Sequence, residues 1–192
     1  MRVFFIDNLG FTYNLINEFE KRDCEVISYR NNVDMKIIDT AIKKFKPNLI
    51  VISSGPGNVA DAGNSVAVIG EYSGKIPIFG VGLGYECIIE ALGGGVDRSP
   101  VVIHGKTSEV RHDGKSIFKK MDNPFVAARY NSLAGIDIPH TLEVSARDEN
   151  NIVMAVMHKE CFVQGVQFHP ESILTVSGGL LIDNLIKEVE RK

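Results

Sequence analysis

Cysteine is scarce in this chain and odd in number: 192 residues contain three, Cys24, Cys87 and Cys161. Without the close Cys/His spacing of a metal site, they argue against both a disulfide framework and a zinc centre. All three read as small buried apolar side chains, and no metal site is expected. Long apolar runs are missing too. The N-terminal run Val3-Phe4-Phe5-Ile6 is too short for a signal peptide, and no stretch is long enough to span a bilayer. A cytoplasmic protein without membrane contact is the expectation. Basic excess is likewise absent: a net charge of -3 and a pI near 6.0 give no footprint for nucleic acid. No repeat, low-complexity tract or linker divides the sequence. With 44% hydrophobic residues it can bury a full core, so residues 1–192 are expected to form a single domain.

What is present alternates between strand and helix signals. Residues 3–6 read as a buried strand, followed by a helix with Phe11, Leu15, Ile16 and Phe19 on one face. Residues 24–29 alternate as a second strand, and 34–45 carry Ile37, Ile38, Ala41, Ile42 and Phe45 at helical spacing. Leu49-Ile50-Val51-Ile52 is an unbroken apolar run, as expected of a central parallel strand covered on both faces. This βαβαβ rhythm predicts an α/β fold with a flavodoxin-like, doubly wound, mostly parallel sheet. After Gly93-Gly94-Gly95 the rhythm changes to short strands over 101–103, 108–111, 125–128, 142–146, 152–157 and 162–167, with Asp113-Gly114 reading as a tight hairpin. They predict an antiparallel extension, closed by a helix over about 179–187.

Three stretches carry chemistry. Ile76-Pro77-Ile78-Phe79-Gly80-Val81-Gly82-Leu83-Gly84-Tyr85-Glu86 reads as a buried strand that turns at glycines straight into a helix, the layout that lifts a nucleophile out at the top of a sheet. Yet the residue at the turn, Gly82, has no side chain. Downstream, Gln167-Phe168-His169-Pro170-Glu171-Ser172 offers a histidine with a carboxylate two residues on. In an extended segment both would point the same way, so Glu171 can orient His169. The loop Ser53-Ser54-Gly55-Pro56-Gly57-Asn58 follows the central strand, where open α/β sheets bind ligands. Gly57 lets a backbone N–H approach closely, and the N–H of Leu83 at a helix start is a second candidate oxyanion donor.

Together these stretches bear a family resemblance. Phe5-Ile6-Asp7-Asn8, Phe11-Thr12-Tyr13-Asn14-Leu15, the Ser-x-Gly-Pro-Gly loop, the elbow, His104-Gly105-Lys106-Thr107-Ser108, Arg129-Tyr130-Asn131-Ser132-Leu133 and the run from Gly165 to Thr175 occur in this order. The chain resembles a class I glutamine amidotransferase, in particular the small subunit of anthranilate synthase or of its aminodeoxychorismate synthase relative. That resemblance implies a cysteine thiolate attacking the carboxamide of glutamine, with His169 and Glu171 assisting and Gly57 and Leu83 forming the oxyanion hole. Ammonia would pass to a chorismate-using large subunit. It also implies that Gly55, Glu86, Ser132 and Leu133 line the substrate pocket, and it implies no cofactor.

The sequence departs from the family where the chemistry is. The family reads Gly-Val-Cys-Leu-Gly-His-Gln; here Gly82, Tyr85 and Glu86 replace the cysteine, histidine and glutamine. Ser54 stands for a usual proline, Asn131 for a histidine, and the N-terminal motif is one residue short. Cys87, five residues beyond the turn, would sit roughly 7.5 Å along a helix axis and could act only in a rebuilt site. An ionised Glu86 would accept hydrogen bonds where glutamine also donates them. Loss of glutaminase chemistry is therefore expected. Two readings follow: a degenerate subunit that still docks on a synthase, or a binding or regulatory module that reuses the pocket for glutamine or a related small molecule.

Overall fold

The computed structural model describes residues 1–191. The first half builds β1 (Arg2–Asp7), α1 (Thr12–Glu20), β2 (Glu25–Arg30), α2 (Met35–Phe45), β3 (Leu49–Ile52), α3 (Ser65–Tyr72), β4 (Ile78–Val81) and α4 (Leu83–Ala91). The second adds β5 (Gly95–His112), β6 (Phe125–Asp137), β7 (Leu142–Asp148), β8 (Val153–His158), β9 (Val163–Val166) and α5 (Gly178–Glu190). All strands join one nine-stranded sheet of order β2-β1-β3-β4-β9-β8-β7-β5-β6. Pairing is parallel from β2 through to β9 and antiparallel from β9 through to β6.

The run Leu49–Ile52 lies between β1 and β4 with every residue buried, because helices cover both faces. Leu49 and Val51 pack with α1 and α5 through Leu15, Phe19, Leu181 and Leu185. Ile50 and Ile52 pack with α2, α3 and α4 through Ile38, Ile42, Val68 and Ile88. α2 starts under the cap of Asp34, whose side chain accepts the Lys36 N–H, and ends at Lys46 in a left-handed conformation.

Several sequence expectations are corrected. Residues 101–103 and 108–111 belong to one strand, β5; Pro100 cannot donate to the ladder and Gly105 bends it, so the register shifts at both places and the sequence looks like two strands. Asp113-Gly114 is a turn but not a hairpin, since β6 begins only at Phe125. Phe11 precedes α1 instead of riding on its buried face and is 45% exposed. α3 gave no clear periodic signal because it is short, largely apolar and contains Gly70.

Candidate functional site

The sheet order places β2 on one side of β1 and β3 on the other, so the loops leaving β1 and β3 diverge and open a crevice at their carboxyl ends. Buried polar side chains fasten the two loops. Asn8 donates to the Ser53 carbonyl and accepts from Asn31 and Ser65, while the Thr12 hydroxyl bridges Asp7 and Ser53. The Gly10 N–H donates to the Ser54 carbonyl at 3.1 Å. Gly57 has φ of +83°, and a Cβ there would collide with Asp61, whose carboxylate caps the turn at Asn58. The resulting cleft, about 480 Å³, is lined by Gly55, Gly57, Gly82, Leu83, Glu86, Ser132, Leu133 and His169 among others.

Gly82 heads α4 with φ of 56° and ψ of -112°, a conformation open to glycine and strained for other residues. A Cβ at Gly82 would lie 3.6 Å from His169 Nε2 and 3.1 Å from the Ser54 Cβ. The other imidazole nitrogen, Nδ1, is 2.7 Å from Glu171 Oε1. An ionised Glu171 can only accept, so Nδ1 carries the proton and Nε2 presents its lone pair toward Gly82 when the ring is neutral. The pair forms in a turn, with the Ser172 N–H donating to the His169 carbonyl, and not in the extended segment that the i, i+2 argument assumed. Glu171 stands behind the ring and does not line the main cleft. The first N–H groups of α4, including that of Leu83, have no carbonyl four residues back and lie at the positive end of the helix.

Sequence reasoning assigned no role to the groups that hold His169 in place. The Phe11 and Tyr130 rings meet it edge-on with centroids 5.4 and 5.1 Å away. Thr175 donates to the His169 carbonyl and accepts the Ala128 N–H, tying the turn to β6. His104 and Gln167 also line the cleft. Apart from Ala128, these residues sit inside the motifs quoted above, but nothing in their spacing says that they converge.

Glu86 is 5% exposed and accepts one hydrogen bond, from Gln167 Nε2 at 3.2 Å. Burial pushes its pKa up to about 7, so at neutral pH it is a mixture of acid and carboxylate. The expectation of a purely accepting carboxylate is corrected accordingly. A raised acid pKa means that the folded state disfavours the ionised form. The penalty is absent below about pH 4.5 and grows as pH rises through the folded value near 7. Glu86→Gln is thus expected to stabilise the protein at pH 8 by on the order of 3 kcal/mol, and hardly at all at pH 4. Urea melts of both proteins at the two pH values test this; an equal effect at both would contradict it.

Tyr85 turns away from the cleft: it is fully buried and donates its hydroxyl to the Val153 carbonyl at 3.1 Å. Cys87 is fully buried among Ile88, Ile89 and their neighbours, and burial pushes its thiol up to about 12. It should resist alkylation in the native protein and react only on unfolding; stoichiometric native labelling at Cys87 would refute this.

The geometry fits what the comparisons find. The family model for glutamine amidotransferase class-I matches residues 4–189, and the chain belongs to that family. It is 44% identical to anthranilate synthase component 2 of Methanocaldococcus jannaschii, over 96% of this chain and 91% of that protein. It is 38% identical to the same component of Vibrio parahaemolyticus, over 96% and 94%. The chain spans about half of a third relative, the multifunctional tryptophan biosynthesis protein of Pichia angusta, at 44% identity over 96% of this chain and 50% of that one. Among solved structures, a glutamine amidotransferase from Thermotoga maritima superposes with a TM-score of 0.79 at 14% identity, covering 100% of this chain and 99% of that one, and so shares the fold.

Proposed function

We propose that this chain is a cytoplasmic subunit of anthranilate synthase type, forming one domain, that docks on a chorismate-using synthase subunit and does not itself hydrolyse glutamine. One observation carries the second half: the position facing His169 Nε2 at the head of α4 is Gly82, which offers no atom to form a thioester. Relatives named anthranilate synthase component 2 support the first half. So do exposed apolar side chains near His169: Leu9 and Phe11 line the cleft, and Phe11 shares a smaller hollow with Ile173, as at a surface awaiting a partner. In this reading His169, Glu171, Gly57 and Leu83 are the remains of the catalytic and oxyanion machinery, and Gly55, Glu86, Ser132 and Leu133 line the old glutamine pocket.

Co-expression with a chorismate-using subunit tests it. The expected result is a co-eluting complex that aminates chorismate with ammonium salts and not with glutamine. Failure to co-elute overturns the docking; glutamine-dependent turnover overturns the loss of glutaminase chemistry.

A further inference from the structure

Among the described residues, Glu86 is the only acidic side chain lining the cleft, and no lysine or arginine lines it. Its only side-chain hydrogen bond comes from Gln167, which is itself 1% exposed and whose Oε1 is buried without a partner. When Glu86 is ionised, the two side chains together present three acceptor oxygens against the two N–H donors of a single amide, whichever way that amide is turned. Buried acceptors without donors are costly until a donor-rich group arrives. A primary ammonium suits this pair, since it brings three donors, no acceptor and a positive charge.

We propose that Glu86 and Gln167 form a recognition site for a primary ammonium group at the wall of the cleft, so that this chain takes up a ready-made amine where a thiol would have released one. This deepens the reading above and rests on its claim that no thioester forms at Gly82. The group has two sources, free ammonium or small alkylammonium ions and the α-ammonium of an amino acid; the first suits a chain without a nucleophile.

Ionisation of Glu86 should accompany binding, so its surroundings matter. On α4 itself Glu90 adds a like charge. β3, β4 and β9 carry no charged residue. Asp61 is held in the cap at Asn58, and Glu71 of α3 pairs with Lys75. The remaining titratable groups on the cleft wall are His104, Tyr130 and His169.

Calorimetric titration of the purified chain with methylammonium chloride at constant ionic strength tests the site. Ammonium chloride and glutamine form parallel arms, and tetramethylammonium, which has no N–H, is the control. Saturable methylammonium binding is expected at pH 8, weakened about tenfold or more by E86Q and by lowering the pH to 6. E86Q should abolish that pH dependence. Because E86Q is close to isosteric and expected to be the more stable protein at pH 8, its loss of binding cannot be put down to misfolding. Gln167→Leu should weaken binding in parallel. Glu86-dependent binding of glutamine alone would assign the ammonium to an amino acid and overturn the uptake of a ready-made amine. Binding unchanged in E86Q, equal binding of tetramethylammonium, or a pH dependence that survives E86Q would overturn it. Glu86 is buried, so co-elution of E86Q with the synthase subunit reports separately on the docking proposal.

Discussion

Asp148→Ala is expected to destabilise the protein by about 3–5 kcal/mol, the range for stranding a buried charge by removing its partner. Arg129 on β6 is fully buried, and its guanidinium meets Asp148 of β7 at 2.5 Å, Ser108 of β5 at 3.2 Å and Asn131 at 3.0 Å. Asp148 also accepts the backbone N–H groups of Asn150 and Ile152. Asn131 passes the constraint on, donating to the Leu133 carbonyl at 2.8 Å and so fixing the Ser132-Leu133 edge of the cleft. Removing Asp148 leaves an arginine in the core whose Nη2 already has no partner. A fall in Tm on the order of 10 °C should accompany the loss. The double replacement Arg129→Met/Asp148→Leu should recover part of it, because neither charge then needs compensation while the Asn150 and Ile152 N–H groups still lose their acceptor. Urea melts decide: a loss under about 1 kcal/mol for Asp148→Ala would mean that water reaches Arg129.

The same pair marks a limit of sequence reading. Arg129 is recognisable as part of a motif, but a run of mixed polar and apolar residues does not announce a buried arginine; its partner lies nineteen residues away, on β7. Parallel strands were legible because Leu49–Ile52 is apolar throughout and its neighbouring helices are amphipathic. The extension was legible as strands but not in their lengths, since Pro100 and Gly105 interrupt the pattern of β5 without ending its pairing. At the cleft, the turn at Gly82 and the proximity of His169 to Glu171 could be read from local chemistry. The enclosure of His169 by Phe11 and Tyr130 could not, because it joins the loop after β1 to β6 across the top of the sheet. Nor could the state of Glu86, which depends on how deeply α4 is buried.

Gly82→Cys should restore a nucleophile and cost stability at once. At φ of 56° and ψ of -112° a residue with a side chain is strained by roughly 1–3 kcal/mol. Its Cβ would also press on the Ser54 Cβ at 3.1 Å. A lower Tm is therefore expected. The thiol would stand beside His169 Nε2, 3.6 Å from the Cβ, and at the positive end of α4, two features that favour the thiolate. A thiol-alkylating glutamine analogue should label Gly82→Cys stoichiometrically and leave the parent protein unlabelled at this position. Turnover needs more. Glu86 at neutral pH is partly a carboxylate, so Gly82→Cys/Glu86→Gln should hydrolyse glutamine where the parent does not, and Gly82→Cys alone should turn over far more slowly than the double variant. Tyr85 stands where the family has histidine. Its hydroxyl is spent on the Val153 carbonyl away from the cleft, so Tyr85→His should add little and unsettle the core. A Gly82→Cys protein that melts higher than the parent would show that the turn is unstrained, and one that stays unlabelled would show that His169 does not face a usable nucleophile position.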